Sequence, residues 1–223
     1  MSETLDAKKD NSIIVNVAYD RYHKKSKSYR GFSIQSLVDS IIQKNRFDTA
    51  SAYIQFECTD GYRPSLALKQ LYQGANGFLV FKDFDTNWPD SIKQKLGPYY
   101  LVWDNVKSDD YRFTWPYGIV SIRLLYFDAW PTADLKEGFD LFRRNCMQCH
   151  SVNGIGGVVG PEFAYPRNIT SYWSEDNLIM FAKDPRSFRY NSQMPPISYL
   201  SDTDLKKIVR YIKSAAPKPP NLN

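Results

Sequence analysis

Two cysteines three positions apart, followed at once by a histidine, constrain this chain more than any other feature. In RRNCMQCHSVNG the pair is Cys146 and Cys149, and the histidine is His150. The chain has 223 residues but only three cysteines and two histidines, so most of these side chains sit within five positions. C-x-x-C-H is the attachment signature of a c-type haem. Two thiols add across the two vinyl groups of the porphyrin, their spacing sets both sulfurs along one edge, and the histidine reaches under the ring to bind iron. Two other uses of the pattern compete. A thioredoxin-like C-x-x-C wants a strand before it and a helix starting at the first cysteine, whereas a helical pattern precedes this one. A zinc site needs two further ligands, and the remaining Cys58 and His23 lie far upstream.

The second axial ligand is sought among Met147, Met180 and Met194, because the region has no second histidine. Met194 lies in NSQMPPIS, where Pro195 and Pro196 stiffen a loop around the thioether. Met180 falls inside the helical pattern DNLIMFAKD and reads as a core-filling residue. Met147 lies inside the attachment loop. Met194 is therefore the expected partner of His150. Such His/Met ligation favours reduced iron and suits electron transfer, with both axial positions filled.

The texture of the chain changes near residue 130. Before it, short runs rich in aromatic and β-branched residues alternate with turn signals: SIIVNVAY, SAYIQFEC, GFLVFKDF, PYYLVWD and GIVSIRLLYF. Each reads as a strand. SIQSLVDSIIQKN predicts a helix capped by Ser33, and RPSLALKQLYQG a short one ended by Gly74. After it, TADLKEGFDLFRRNC, SEDNLIMFAKDP and SDTDLKKIVRYIKSAA predict three helices, capped by Thr132, Ser174 and Ser201. The expected organisation is two domains, 1–130 and 131–223, joined at AWPTAD.

Charge excludes little. The net charge is +5, and the excess lies in residues 135–223, with 12 Lys/Arg against 8 Asp/Glu. The only basic cluster, HKKSK (His23–Lys27), reads as a solvated loop rather than a nucleic-acid patch. A mild positive field suits steering toward an acidic protein. No apolar run is long enough to span a bilayer. MSETLDAKKDNSI is polar, so no secretory segment opens the sequence.

Residues from about 134 to 216 resemble a class I cytochrome c domain, through GFDLFRRNCMQCH, GPEF, QMPP and the closing LKKIVRYIKSA. The resemblance implies an all-α fold in which Gly138 and Phe139 or Phe142 of the first helix cross Tyr211 of the last. It implies that Pro161 orients the proximal histidine, and it makes Arg167, Asn168, Tyr172 and Trp173 candidates for the haem propionates. Residues 30–127 resemble part of the sulfite-oxidase-like, molybdopterin-binding fold, through FECTDGYRPSLALKQL, GPYYLVWD and WPYGIVSIRLL. That resemblance implies an α+β domain dominated by a β-sheet. The active family holds molybdenum through a cysteine well upstream of the DGY turn, and no cysteine precedes Cys58. Molybdopterin is therefore not expected, and the domain reads as a fold reused for docking. Cys58 is expected as a buried free thiol, His23 at the surface, Asp60, Gly61 and Tyr62 as turn formers, and most of Trp88, Trp103, Trp115, Tyr99, Tyr100 and Tyr117 in the core.

These readings converge on a monohaem cytochrome carrying single electrons to or from a redox partner, a dehydrogenase or oxidase. Haem attachment of this type implies assembly outside the cytoplasm, hence a bacterial periplasm with the signal peptide removed. Two readings of other classes stand beside it: a haem-containing molybdopterin-type oxidoreductase, separable by its molybdenum, and a haem-based sensor, separable by carbon monoxide binding to ferrous iron.

Overall fold

The structure, a computed structural model, describes residues 11–45, 52–84, 97–107, 109–110, 112–125 and 132–217. The chain forms two compact units, Met1–Asp60 with Pro64–Phe127, and Gly61–Arg63 with Asp128–Asn223. The expected linker AWPTAD and Trp88 fall partly or wholly outside the described residues.

The first unit is an α+β domain built on one sheet. Its strands are β1 (Ile13–Val17), β2 (Lys27–Ser33), β3 (Tyr53–Cys58), β4 (Ser65–Ala67), β5 (Gly77–Asp83), β6 (Tyr99–Trp103) and β7 (Tyr117–Leu125). They lie in the order β1-β2-β5-β6-β7-β3-β4, each neighbour antiparallel. Central β6, YYLVW, is buried at every position. Such continuous burial means that both faces of the strand are covered, and it explains why the run is apolar rather than alternating. Helix α1 (Ile34–Asn45) follows β2 directly, and Ser33 Oγ accepts the Ser36 N–H at 3.3 Å, an N-cap bond. A short α2 spans Leu68–Leu71.

Among the described residues, the buried charges Lys27, Asp83 and Asp20 of this core are each paired. Lys27 Nζ pairs with Asp83 Oδ2 at 2.7 Å, with both side chains wholly buried. Asp20, also buried, accepts from the Tyr22 N–H at 2.8 Å, the His23 N–H at 2.7 Å and Tyr29 Oη at 2.8 Å. Burial, then the Asp20 carboxylate, pushes the Tyr29 hydroxyl far up from its ordinary value, so it stays a donor. Lys27 corrects the expectation for HKKSK. The cluster is not one solvated loop, because its last lysine opens β2 and is drawn inside by Asp83 on the neighbouring strand. His23 is half-buried against Tyr22, with ring centroids 5.1 Å apart, rather than a surface residue. Trp103, Tyr99, Tyr100 and Trp115 are buried, whereas Tyr117 is exposed at the start of β7. Cys58 is buried as a free thiol, and burial, then Asp60 and Glu57, pushes it up to about 12.

The second unit is mainly helical: α3 (Ala133–Asn145), α4 (Glu175–Lys183), α5 (Pro185–Phe188) and α6 (Asp202–Ser214), with a 3-10 turn at Ile169–Ser171. A two-residue hairpin pairs β8 (Ser151–Val152) with β9 (Ile155–Gly156). Ser174 and Ser201 cap α4 and α6 through their hydroxyls, accepting from the Asn177 and Asp204 N–H groups. Thr132 does not cap α3 with its side chain. Its carbonyl accepts the Leu135 and Lys136 N–H groups instead. Asp184–Pro185 ends α4 as expected but also starts α5, since proline suits a first helical position and the Asp184 carboxylate accepts the Ser187 N–H.

Helices α3 and α6 cross where residue 138 has no side chain. A Cβ on Gly138 would overlap the Lys207 carbonyl oxygen and lie 3.2 Å from Tyr211 Cβ. This close approach brings the Phe139 and Phe142 rings each to 5.4 Å from the Tyr211 ring, in edge-on and tilted contacts. Ring pairs at such separations add about 0.5–1.5 kcal/mol beyond the area they bury. Among the described residues, no helix is long and apolar enough to cross a membrane.

Candidate functional site

The end of α3 delivers the motif. Arg143 and Arg144 occupy its last turn, where cations complement the exposed carbonyls. The Cys146 N–H still bonds the Phe142 carbonyl, and the chain then curls so that the Cys149 and His150 N–H groups both bond the Cys146 carbonyl, at 3.0 and 2.9 Å. Neither thiol is in a disulfide, and both residues are partly exposed. Burial, then the neighbouring Cys149, pushes the Cys146 thiol up to about 12, so it remains protonated.

His150 is held on three sides. Its Nδ1 donates to the Pro161 carbonyl at 2.9 Å. Phe163 stacks on the ring with centroids 4.3 Å apart and planes 19° from parallel. The Gly160 backbone lies so close that an added Cβ would fall 2.6 Å from Nδ1 and 2.7 Å from Nε2. Burial lowers the imidazole's proton affinity, against an opposing effect of the Pro161 carbonyl. The ring is therefore neutral, with its proton on Nδ1 and a lone pair on Nε2. That is the donor state a metal requires, with the outer-shell bond that fixes the tautomer.

Glycines also close the loop from behind. Gly156, at φ +133°, and Gly157 leave no room for a Cβ, which would overlap the His150 and Gln148 carbonyl oxygens respectively. Glu162 ties the β8–β9 turn by accepting the Asn153, Gly154 and Ala164 N–H groups at 2.8, 3.0 and 2.8 Å. Its burial alone would raise its pKa, but the Gly154, Ser151, Ala164 and Asn153 donors outweigh burial and leave it lowered.

The other sequence candidates are spread over the unit. Pro161 meets His150 through its carbonyl. Met194 is half-buried, its N–H donating to Ser192 Oγ at 3.3 Å, and the following Ile197 N–H bonds the Ala182 carbonyl of α4 at 2.8 Å. Met147 is buried, whereas Met180 is half-exposed. Ile179 takes the buried position on α4, and the next residue turns away, so Met180 does not fill the core. Arg167 donates to Ser171 Oγ at 2.9 Å and lies over the Tyr172 ring at 5.7 Å. Trp173 packs on Phe181 and Phe188, with centroids 5.5 and 6.1 Å away. Asn168 is committed elsewhere. Its amide donates to the Ile212 and Ala215 carbonyls at 2.7 and 2.9 Å, closing the end of α6, and its oxygen caps the 3-10 turn.

Phe163 of GPEF, to which the sequence assigns no separate role, stacks on His150. Tyr62, expected as a turn former, also donates its Oη to Gln148 Oε1 at 2.9 Å. No local signal links positions so far apart. Among the described residues, no group of three or more His, Cys, Asp and Glu is placed to hold a metal ion.

Comparison with known proteins bears on this unit. The cytochrome c family model matches residues 135–216. The chain is 28% identical to a cytochrome c of Tetrahymena pyriformis, over 38% of this chain and 91% of that protein. It is 30% identical to a cytochrome c oxidase subunit 2 of Alkalihalophilus pseudofirmus, over 40% of this chain but only 31% of that protein. It is 29% identical to a cytochrome c6 of Cyanidium caldarium, over 39% of this chain and 76% of that protein. No solved structure gives a significant match. The C-terminal part of the chain is thus a cytochrome c-fold domain, beside an N-terminal α+β domain.

Proposed function

We propose that the second unit carries one covalent haem c and moves single electrons to or from a larger redox protein in a periplasm. The carrying observation is His150: neutral, tied through Nδ1 to the Pro161 carbonyl, stacked on Phe163, and leaving Nε2 to bind. Cys146 and Cys149 would hold the haem through thioether bonds, and His150 and Met194 would hold its iron. Such a group supplies a one-electron couple at a single iron. Pro161, Phe163 and Gly160 fix the imidazole in the tautomer and orientation it needs. Arg167, Tyr172 and Trp173 are the residues we assign to the propionate side, where the Arg167 guanidinium is already oriented by Ser171 and Tyr172. Likeness both to cytochromes c and to an oxidase subunit supports a place in an electron-transfer chain.

For the first unit we propose a docking role. We read it as a relative of the sulfite-oxidase-like fold without the molybdenum-binding cysteine, with boundaries near residue 130. The DGY turn, GPYYLVW and WPYGIVSIRLL support that reading. The test is metal content with a reduced-minus-oxidised spectrum of protein matured in a periplasm. One iron per chain, low-spin c-type bands and no molybdenum are expected; stoichiometric molybdenum or high-spin haem would refute the proposal. Met194→Ala should open the sixth position and lower the midpoint potential, and unchanged spectra would assign that ligand elsewhere.

A further inference from the structure

We propose that Tyr62 and Arg63 are positioning residues of the Cys146–His150 loop, and that the Arg63 charge there favours reduced iron. The proposal rests on the haem reading above. Gly61–Arg63 belong to the second unit although the residues on either side of them belong to the first. Four bonds fasten them. The Arg63 N–H donates to the Gln148 carbonyl at 2.8 Å, and Tyr62 Oη to the Gln148 side chain at 2.9 Å. Arg63 Nη1 donates to the Gly156 carbonyl at 3.3 Å, and the Val158 N–H to the Gly61 carbonyl at 3.1 Å.

The targets define the role. Gln148 stands between the two cysteines, so Tyr62 and Arg63 grip the middle of the attachment loop by backbone and side chain together. Gly156 is the residue whose backbone lies against the His150 carbonyl, so the guanidinium contacts the loop's other support. The approach is also closely fitted. Gly61 has φ +84°, and a Cβ there would fall 2.8 Å from Val158 Cγ2, so a larger residue would be both strained and crowded.

With haem attached, a half-buried guanidinium held against the attachment loop would act on the iron through charge. Ferric iron carries one more positive charge than ferrous iron, so a fixed cation disfavours the oxidised form. At an effective dielectric between protein and water, one charge about a nanometre away changes the reduced-to-oxidised ratio roughly threefold.

The test uses the full chain with haem attached, poised at a fixed ambient potential. Arg63→Gln should lower the reduced-to-oxidised ratio about threefold, and Arg63→Lys, which keeps the charge, should restore most of it. If wild-type protein carries no covalent haem, the haem reading itself fails. If haem is attached and Arg63→Gln leaves the ratio unchanged, this inference fails alone. Should Arg63→Gln not accumulate with haem, Tyr62→Phe decides. Loss of one hydrogen bond should speed amide exchange at Cys149 and His150 by about 3- to 10-fold and shift the haem-methyl resonances. Unchanged exchange and resonances would overturn the proposal.

Discussion

Replacing Gly138 with alanine sets two effects of opposite sign against each other. Inside an exposed helix, alanine gains about 1 kcal/mol over glycine. At the α3–α6 crossing the new Cβ would overlap the Lys207 carbonyl oxygen and sit 2.9 Å from the Lys207 carbonyl carbon. Those atoms are helix backbone and cannot swing aside as a flexible side chain would. The helices must part, and Phe139 and Phe142 then lose their fit to Tyr211. Overpacking of a tight core costs about 1–3 kcal/mol, and rigid backbone on both sides puts this site at the upper end. The net expectation is a loss of roughly 1–2 kcal/mol, a factor of about 5–30 in the equilibrium for opening. Hydrogen exchange resolved to α3 and α6 reads this unit separately from the β-sheet. Protection in both helices should fall by that factor in Gly138→Ala, while Lys136→Ala, on the exposed side of α3, should change little. Unchanged or increased protection in Gly138→Ala would mean that the crossing has slack and that the glycine is not required by contact.

Other outcomes follow from buried polar groups. Lys27→Met leaves the Asp83 carboxylate buried without its cation and should cost about 3–5 kcal/mol, whereas Lys27→Met with Asp83→Leu should recover most of the loss in urea titrations. Asn168→Ala removes the side-chain donor to the Ile212 and Ala215 carbonyls, while Ile212 keeps the Ala215 N–H, and should cost about 1 kcal/mol, read as faster exchange at the end of α6. Glu162 has a depressed pKa, so its contribution is present above its unfolded value, about 4.3, and disappears as pH falls through the lower folded value. Acid unfolding of wild type should steepen in that window, and Glu162→Gln should flatten it.

Much of this was legible locally. Ser33, Ser174 and Ser201 each announced a helix start, because an N-cap bond spans only three residues. Most strands of the first unit showed as apolar runs. Strand β2, KSYRGFS, did not, because its burial depends on Asp83 of β5 accepting Lys27, a partner that no local window contains. Cys146, Cys149, His150 and Pro161 formed a readable group because they are close in sequence. Phe163 was within the same reach, yet its stacking depends on how the chain returns after the Gly156–Gly160 stretch. The contact of Tyr62 was not legible for a physical reason: its partner Gln148 lies 86 residues away.

That separation also bears on the order of manufacture. On a ribosome, Gly61–Arg63 emerge long before the loop they grip, so the helical unit reaches its full set of bonds only when late chain returns to early chain. A gene segment cut between the two textures would copy α3 to α6 and the five-residue motif, yet leave behind the tripeptide that buttresses it.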